Sequence, residues 1–395
     1  MQTKKVDIII VGAGLIGCSL ALTLAKRKHL AGNKKFVIAL VERSAQITQN
    51  KSPNQRVVAL GKLATDMLSD VGVLSALGDS ACYPYQGMTV WDENSDGELV
   101  FDSNELGQQR LGYMVDSAQC IIELQKKVEK TNKVATYYQA KTESLAINKT
   151  GVKLTLNETA LSAPLIIAAD GGSSWVRQQA KIFANHRSYQ QRGIVAKIET
   201  EFSHQDTAWQ RFLSTGPLAL LPVNENQCSI VWSAENCFAE QLTSLTSDEF
   251  EGNLQQALGN RLGKVTLLTK PLSFELVSQQ AEKYFSRHVA LVGDAAHRIH
   301  PLAGQGANLG FKDIRVLIDL LTDESVSDLS VIGLLKRYEK LRQRDNKQTD
   351  FLMSALHHAY QADMPVWLLA RGLGMNLINH SKLLKTWLVD QAAGR

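Results

Sequence analysis

The 395-residue sequence predicts an α/β fold built around a parallel β-sheet. The first observation is a β-branched apolar run at residues 6–11, followed by closely spaced glycines, an uncharged stretch at 15–25 and a second apolar run at 36–41. The second is a pair of similar runs, at 165–169 and 289–292, each followed by an aspartate or a glycine. Unbroken apolar runs of this length are typical of strands that a parallel sheet buries on both faces. Such sheets bind ligands where their strands end, so the residues after these runs are candidates for a site.

The N-terminal apolar segment has a competing interpretation. No charge occurs in the range 8–25, and two lysines precede it, as in a signal peptide or a membrane span. Glycines at turn-forming spacing interrupt the segment, which argues against one continuous helix. We therefore interpret it as a strand, a tight turn and a helix. The expected location is cytoplasmic, with peripheral contact with a membrane left open.

Composition excludes several classes of function. The net charge of +4 is small for this length, and no basic block occurs, so nucleic acid is not an expected partner. The five cysteines include no C-x-x-C pair, which favours reduced thiols over disulfides or a zinc site.

A second, β-rich domain is predicted from segments with alternating polarity. Residues 87–92, 192–201, 218–223 and 228–233 have the pattern of antiparallel strands, with a turn at 224–226. Such strands would enter the sheet domain as two insertions, and the chain after Ile314 has a helical pattern to its end. The predicted division is a Rossmann-like sheet domain over 1–80, 111–183 and 283–330, a β-rich domain over 81–110 and 184–282, and a helical C-terminal region over 331–395.

The first glycine motif has the spacing of a dinucleotide-binding turn. Gly12 would allow the tight turn, Gly14 the approach of a pyrophosphate, and Gly17 the close packing of helix on strand. The helix N-terminus would then offer N–H groups to the phosphates. At the end of the second strand, Glu42 would accept hydrogen bonds from a ribose. The alternative is a glycine turn without a ligand. The predicted contacts here are Gly12, Ala13, Gly14, Ile16, Gly17, Glu42 and Arg43.

The second glycine-rich motif, near residues 293–310, distinguishes between the two common dinucleotides. Asp294, at a strand end, would bind the hydroxyls of a ribityl chain, which FAD has and NAD lacks. A helix beginning near Ala307 would stabilise negative charge on the N1/C2=O edge of a reduced flavin. An aspartate N-cap beside a glycine turn is the alternative. The predicted contacts are Gly293, Asp294, Pro301, Gly304, Gln305, Gly306, Ala307 and Asn308.

The segment 300–310, with Asp313, resembles the signature of the group A flavoprotein aromatic hydroxylases, and specifically of the ubiquinone-biosynthesis hydroxylase family. The resemblance extends over the whole chain and implies a para-hydroxybenzoate-hydroxylase-like FAD-binding domain. It also implies that Asp170 and Gly171 contact FAD and nicotinamide, and that Arg56 lies against the flavin. Ser117 stands where related hydroxylases often carry Asn or Gln, so it and nearby Gln119 are not assigned.

The resemblance further implies an FAD-dependent monooxygenase that consumes NAD(P)H as a transient reductant and hydroxylates a polyprenylated phenol or benzoquinol with O₂. Because flavin and O₂ supply the chemistry in such enzymes, no catalytic side chain is assigned. His297 and His300 lack placed partner ligands, so no metal is assigned either. Apolar walls from 218–222 and 228–233 should line a cavity for the ring. Hydroxylation of a small soluble aromatic, and a role as a flavin-binding assembly factor, remain alternatives.

The C-terminal segment 364–389 mixes tryptophans and leucines with basic residues. It has the composition of an interfacial helix or a docking surface, which would place the protein at the inner membrane or beside other ubiquinone-biosynthesis proteins. Ordinary packing onto the body of the protein is the alternative. The sequence leaves both open.

Overall fold

The first structural layer is a six-stranded, mostly parallel sheet. The computed structural model describes residues 3–27, 35–49, 56–157, 159–299, 305–323, 330–361 and 374–393. Five strands are parallel, one edge strand is antiparallel, and Ile9, Ile38 and Ile166 are fully buried at the sheet centre. In spatial order, the strands are β20 (Phe285–Ser286), β21 (Val289–Leu291), β13 (Leu165–Ala168), β2 (Ile8–Val11), β3 (Ile38–Val41) and β9 (Val134–Tyr137).

Helices pack against this sheet and share its hydrophobic core. The first helix is buried from Gly17 to Ala25 except for the half-buried Thr23. The side chain of Asp116 caps the third helix by accepting from the backbone N–H groups of Ala118 and Gln119. The helices are α1 (Leu15–Lys26), α2 (Lys62–Asp70), α3 (Ser117–Lys130), α4 (Trp175–Gln179), α7 (Gln305–Thr322) and α8 (Val331–Gln361).

Two small sheets extend this layer. A four-stranded sheet contains β1 (Thr3–Lys5), β12 (Thr159–Ala163), β11 (Val152–Leu156) and β10 (Thr142–Ile147), in that spatial order. A three-stranded sheet contains β4 (Val57–Leu60), β8 (Gly112–Asp116) and β5 (Cys82–Tyr85).

The second structural layer is a nine-stranded sheet. Along the path from one edge to the other run β22 (His297–Arg298), β19 (Leu272–Ala281), β14 (Ala184–Thr200), β17 (Gln227–Glu235), β16 (Gly216–Asn224), β15 (Thr207–Leu213), β6 (Gly87–Asp92) and β7 (Glu98–Asp102). The ninth strand, β18 (Val265–Leu267), pairs with β14.

The two faces of this sheet differ, as the period of two along a strand requires. Ile194, Leu220 and Trp232 point to one face, where they form a core with helices α5 (Asn236–Ser244) and α6 (Ser247–Leu258). Residues one position away along the same strands, such as Val195 and Leu221, point to the other face and line a cavity.

The C-terminal helices pack at the β6–β7 edge of the large sheet. They are the helix described over 374–379 (α9) and α10 (Lys382–Ala393). Met375 is buried against Phe101 and Phe212. The side-chain amide oxygen of Asn379 also accepts a hydrogen bond from the Val100 N–H at 3.0 Å. Among the described residues, no helix combines the length and the apolar character needed to cross a membrane.

The structure confirms the predicted α/β class, the strand–turn–helix interpretation of residues 8–25 and the helical C-terminal region. All five cysteines are free thiols. The predicted antiparallel pairing of residues 87–92 is confirmed on one side only: β6 pairs antiparallel with β7 but parallel with β15, because the chain passes through the other layer between β6 and β15. The domain boundaries stay a prediction.

Candidate functional site

The ends of four neighbouring parallel strands form one edge that collects most of the predicted contacts. Gly12 follows β2, Glu42 follows β3, Asp170 follows β13, and Gly293 follows β21. Because these strands are parallel and adjacent, their carboxyl ends meet at the same edge.

The first glycine turn leaves the N-terminus of α1 open. Gly12 has φ +107°, and a Cβ there would lie 2.3 Å from the Ala169 carbonyl oxygen. A Cβ at Gly17 would lie 1.9 Å from the Gly12 oxygen, so the helix packs directly on the turn. Gly14 is the N-cap of α1, and no side chain bonds to the free N–H groups from this position. A Cβ at Gly14 would meet nothing within 4 Å. The first N–H groups of α1 therefore face an open space suited to an anion.

The carboxylate of Glu42 and the amide of Gln125 brace this turn. One Glu42 oxygen accepts from the Ala13 N–H and the other from the Ser44 N–H, both at 2.8 Å, while Arg43 lies exposed beside it. Buried Gln125 donates to the Ala13 carbonyl at 2.8 Å and accepts from the Ile47 N–H at 2.9 Å. Gln125 was not predicted as a site residue, because a single polar residue on an amphipathic helix has no local signal of a distant partner.

The Asp170 turn carries a buried carboxylate oxygen without a partner. Asp170 Oδ2 accepts from the Val176 N–H at 3.2 Å, whereas Oδ1 is buried and has no hydrogen-bond partner. Burial raises the pKa of Asp170 above its ordinary value. Gly171 follows with φ +79°. Buried Arg177, which sequence analysis missed, donates to the carbonyls of Gly172 and Ala295 at 2.8 and 2.9 Å, and so joins this turn to the next one.

The Gly293–Asp294 turn lies against the first glycine motif. Ile16 fills the space beside Gly293, and a Cβ at Gly310 would lie 2.7 Å from Ile16 Cδ1. The two motifs, almost the whole chain apart, are thus in contact. The Asp294 side chain is exposed and lines the cavity, and within the described part of the chain its carboxylate makes no hydrogen bond.

A buried ionic network supports this turn from below. Asp313 Oδ2 accepts from the Gly293 N–H at 2.8 Å and from His297 Nε2 at 2.5 Å, while Oδ1 accepts from Arg342 Nε at 2.7 Å. Burial alone would raise the pKa of Asp313, but His297 and Arg342 outweigh it and hold the pKa below the ordinary range. His297 is thereby a network member, and among the described residues no cluster could hold a metal ion.

Helix α7 brings residues of the second glycine-rich motif to the cavity. Gly306 and Ala307 line it, and a Cβ at Gly306 would meet nothing within 4 Å. The helix begins at Gln305, two residues before the expected start near Ala307. Both amide atoms of the buried Asn308 side chain bond to backbone, accepting from the Gly61 N–H and donating to the Ala59 carbonyl at 2.9 Å. These two bonds hold the Asn308 side chain against the segment between β4 and α2. Pro301 and Gly304 lie outside the described residues, as does His300.

Arg56 lies near Ser117, whereas Gln119 lies in a different pocket. Arg56 is exposed and lines the cavity, and its carbonyl accepts from the Ser117 N–H at 2.9 Å. Gln119 instead lines a separate polar pocket, together with Asp116 and Lys197.

A cavity of about 260 Å³ separates this edge from the large sheet. On the side of the strand-end edge, the cavity is lined by Arg56, Asp294, Gly306 and Ala307. As predicted, β16 and β17 form the opposite wall. The wall residues from these strands are Pro217, Ala219, Leu221, Ser229, Val231 and Ser233.

The residues at this edge fit FAD. A glycine turn with an uncapped helix N-terminus suits a pyrophosphate, Asp294 can bind ribityl hydroxyls, and Asp170 Oδ1 lacks a partner. A mostly apolar cavity adjoins the Asp294 end. These features define the class as a dinucleotide-binding oxidoreductase in which the cofactor faces a covered substrate cavity.

Comparison with known proteins gives the particular family. The family model described as "FAD binding domain" matches residues 5–349. The 3-demethoxyubiquinol 3-hydroxylase of Escherichia coli is 31% identical, with 100% of each chain covered. The ubiquinone hydroxylase UbiL of Rhodospirillum rubrum is 31% identical, covering 99% of this chain and 90% of that protein. The chain therefore belongs to the FAD-dependent ubiquinone-biosynthesis hydroxylases and monooxygenases, and the predicted family, enzyme class and FAD-binding fold are confirmed.

Solved structures show the same fold at lower identity. The p-nitrophenol 4-monooxygenase of Pseudomonas putida superposes with a TM-score of 0.77 at 16% identity, with 100% of each chain covered. PqsL of Pseudomonas aeruginosa in complex with 2-aminobenzoylacetate gives 0.77 at 19% identity, covering 94% of this chain and 100% of that one.

Proposed function

We propose that this protein hydroxylates the aromatic ring of a polyprenylated phenol or benzoquinol precursor of ubiquinone, using FAD, O₂ and NAD(P)H. The observation that supports the proposal most is the apolar cavity between the FAD edge and the large sheet. The similarity to ubiquinone-biosynthesis hydroxylases over the whole chain supports the pathway.

The cofactor contacts belong to the proposal. The pyrophosphate would lie at Gly12, Ala13 and Gly14, with Ile16 and Gly17 holding the turn, and the adenosine ribose at Glu42 beside Arg43. The ribityl chain would lie at Gly293 and Asp294, with Asp170 and Gly171 adjacent. The flavin ring would contact Arg56, the α7 N-terminus and the loop before it: Pro301, Gly304, Gln305, Gly306, Ala307 and Asn308.

The chemistry that bound FAD would supply is the activation of O₂ with two electrons from NAD(P)H, so that one oxygen atom is added to an electron-rich ring and the other leaves as water. The protein's own contribution is to exclude water and to hold the ring. Val195, Leu221 and Val231 provide a dry wall opposite Gly306 and Ala307. The α7 N-terminus would stabilise negative charge on the adjoining cofactor edge. No protein acid or base is needed for this role.

We further propose peripheral contact with the inner membrane through the outer face of α9 and α10. Leu377, Leu383, Leu384 and Trp387 are 69%, 84%, 42% and 52% exposed there. The inner face packs on the sheet next to Tyr85 and Met88, which line the cavity. A lipid-soluble substrate could thus pass from the bilayer to the cavity over a short distance.

A strain lacking the protein tests the function. Its lipid extract should contain a polyprenylated precursor that lacks one ring oxygen, because the hydroxylation step is blocked. Normal ubiquinone in an aerobic null strain without a redundant hydroxylase would contradict the proposal. A small soluble aromatic as substrate would leave ubiquinone unchanged. If the protein were an assembly factor, its absence would also lower the ubiquinone content. Variants that cannot transfer oxygen would then still support ubiquinone synthesis.

A further inference from the structure

Three polar side chains interrupt the apolar sheet wall of the cavity. They are Gln210 on β15 and Ser229 and Ser233 on β17. Gln210 lies in one cross-strand row with Ala219, Val231 and Val195, all of which line the cavity. Its three apolar members, Ala219, Val231 and Val195, form the floor of the cavity, and the two serines flank Val231 along β17.

These side chains are buried but make no hydrogen bond within the described part of the chain. Gln210 is 6% exposed, and Ser229 and Ser233 are each 3% exposed. Their polar atoms are not among the fully enclosed atoms that lack a partner, because the three residues line the cavity. Burying an amide or a hydroxyl without a partner is costly, as the fully bonded side chain of Gln125 illustrates by contrast. Because Gln210, Ser229 and Ser233 open into the cavity, a bound ligand can supply the missing hydrogen-bond partner, which gives them the character of ligand contacts.

The chemistry of this wall selects a neutral, oxygen-bearing ligand. Hydroxyl and amide groups can donate to or accept from phenol, quinol and methoxy oxygens. No charged residue from β14 to β17 lines the cavity. Of the charged residues that do, Arg56 and Asp294 lie at the strand-end edge, and Arg298 lies on β22 at the edge of the large sheet. A ring carboxylate placed against β15 to β17 would be buried without a cation from these strands to pair with it.

The two serines lie at opposite ends of the floor. Ser229 and Ser233 are four residues apart on a single strand, which separates them by about 13 Å. Two oxygens on opposite edges of a ring, each with a hydrogen bond of about 2.8 Å, span only about 11 Å, so one serine can bond the ring directly while the other reaches it through a bridging water. Gln210 would then reach a third position on the ring from β15.

We propose that Gln210, Ser229 and Ser233 fix the orientation of a neutral, oxygen-substituted ring over the floor formed by Ala219 and Val231. The proposal rests on the proposed function, whose substrate class it narrows to uncarboxylated phenols and quinols. These are positioning residues, because they hold the ring without reacting with it.

Ligand binding provides the first test. The FAD-loaded protein is titrated with a geranyl-substituted phenol and with the same phenol carrying a ring carboxylate, and the flavin absorbance is followed. The variants are Gln210→Met, Ser229→Ala and Ser233→Ala, with Gln210→Asn in reserve if Gln210→Met does not fold. Each should weaken binding of the neutral phenol about three- to tenfold, the typical effect of one lost neutral hydrogen bond.

A matched control is Ser103→Ala. Ser103 is fully buried, its hydroxyl has no partner, and it does not line the cavity. Its replacement should leave binding of the phenol unchanged. Cavity variants that bind the phenol as the control does, or tighter wild-type binding of the carboxylated phenol, would overturn the orientation role.

Turnover separates this inference from the proposed function. With a geranyl-substituted quinol, the cavity variants should form less hydroxylated product per NAD(P)H oxidised, because a misplaced ring is attacked less often. If wild type binds the phenol through these side chains but forms no product, the proposed function fails and the binding role stands. If wild type hydroxylates and the variants bind and couple as Ser103→Ala does, the binding role fails alone.

Discussion

At the scale of single residues, the site depends on glycines that have no room for a side chain and on a buried ion pair between Asp313 and Arg342. Gly12 and Gly17 cannot carry a Cβ, because backbone atoms already occupy that space. Gly14 can, since nothing lies within 4 Å of it. Only at Gly14 is the restriction therefore attributable to a ligand rather than to the fold.

Gly14→Val should abolish retention of FAD while leaving the protein folded. The new side chain would enter the open space before α1, where the pyrophosphate would lie. We expect at least a hundredfold weaker FAD binding, measured by flavin fluorescence titration, with an unchanged far-UV circular dichroism spectrum. Gly252→Val is the control, because Gly252 on α6 also has open space around it and is remote from the site. Equal FAD binding by both variants would remove the assigned role of Gly14.

Asp313→Asn should destabilise the protein by about 3–5 kcal/mol at neutral pH, because Arg342 would remain buried without its counter-charge. The pKa of Asp313 is lower in the folded protein than its unfolded value of about 3.9. Ionised Asp313 therefore contributes its full stabilisation above about pH 4. That stabilisation is lost as the pH falls through the pKa of Asp313 in the folded state. The difference in unfolding free energy between wild type and variant should thus shrink below about pH 4. Urea unfolding at several pH values measures it.

The matched control for this variant is Asp319→Asn on the same helix. Asp319 pairs with Arg315 at 2.8 Å, but both side chains are at least half exposed. Solvent screens such a pair, so its loss should change stability little. An Asp313→Asn variant as stable as Asp319→Asn would show that the network does not support the Asp294 turn.

At the scale of elements, strands and turns were predictable and their distant partners were not. The Gly12 turn and the ends of β2, β3, β13 and β21 have local signatures in glycine spacing and apolar runs. The partner of Ala13 is Gln125, and that of Ala295 is Arg177, each more than a hundred residues away along the chain. No pattern within one element reveals such pairs, nor that Gln210 faces a cavity. The parallel pairing of β6 with β15 was missed for the same reason.

The C-terminal helices supply a prediction at this scale. Leu383→Ser with Trp387→Ser removes apolar side chains from the outer face only, so binding to phosphatidylcholine–phosphatidylglycerol vesicles should fall at least tenfold in a flotation assay. Flavin content and thermal stability should be unchanged. Met375→Ser, on the buried inner face, should instead destabilise the protein. Vesicle binding that persists in the double variant would contradict the membrane role.

At the scale of the whole molecule, two layers enclose one reaction space. The parallel sheet gathers strand ends from Val11 to Leu291 into the single edge at which we propose that FAD binds, and the large sheet covers that edge with a wall of mostly apolar side chains. Contact between Ile16 and Gly310 joins the two glycine motifs directly. The cofactor site and the substrate cavity therefore depend on the same tertiary fold.

The most direct test of this account measures oxygen transfer by the purified, FAD-loaded protein. A geranyl-substituted demethoxybenzoquinol is supplied with NAD(P)H under ¹⁸O₂, and the products are analysed by mass spectrometry. The account predicts a product with one ¹⁸O atom in a new ring hydroxyl, formed only when FAD, reductant and quinol are all present. A protein that retains FAD and binds the quinol, yet incorporates no labelled oxygen with either reductant, would contradict the central claim.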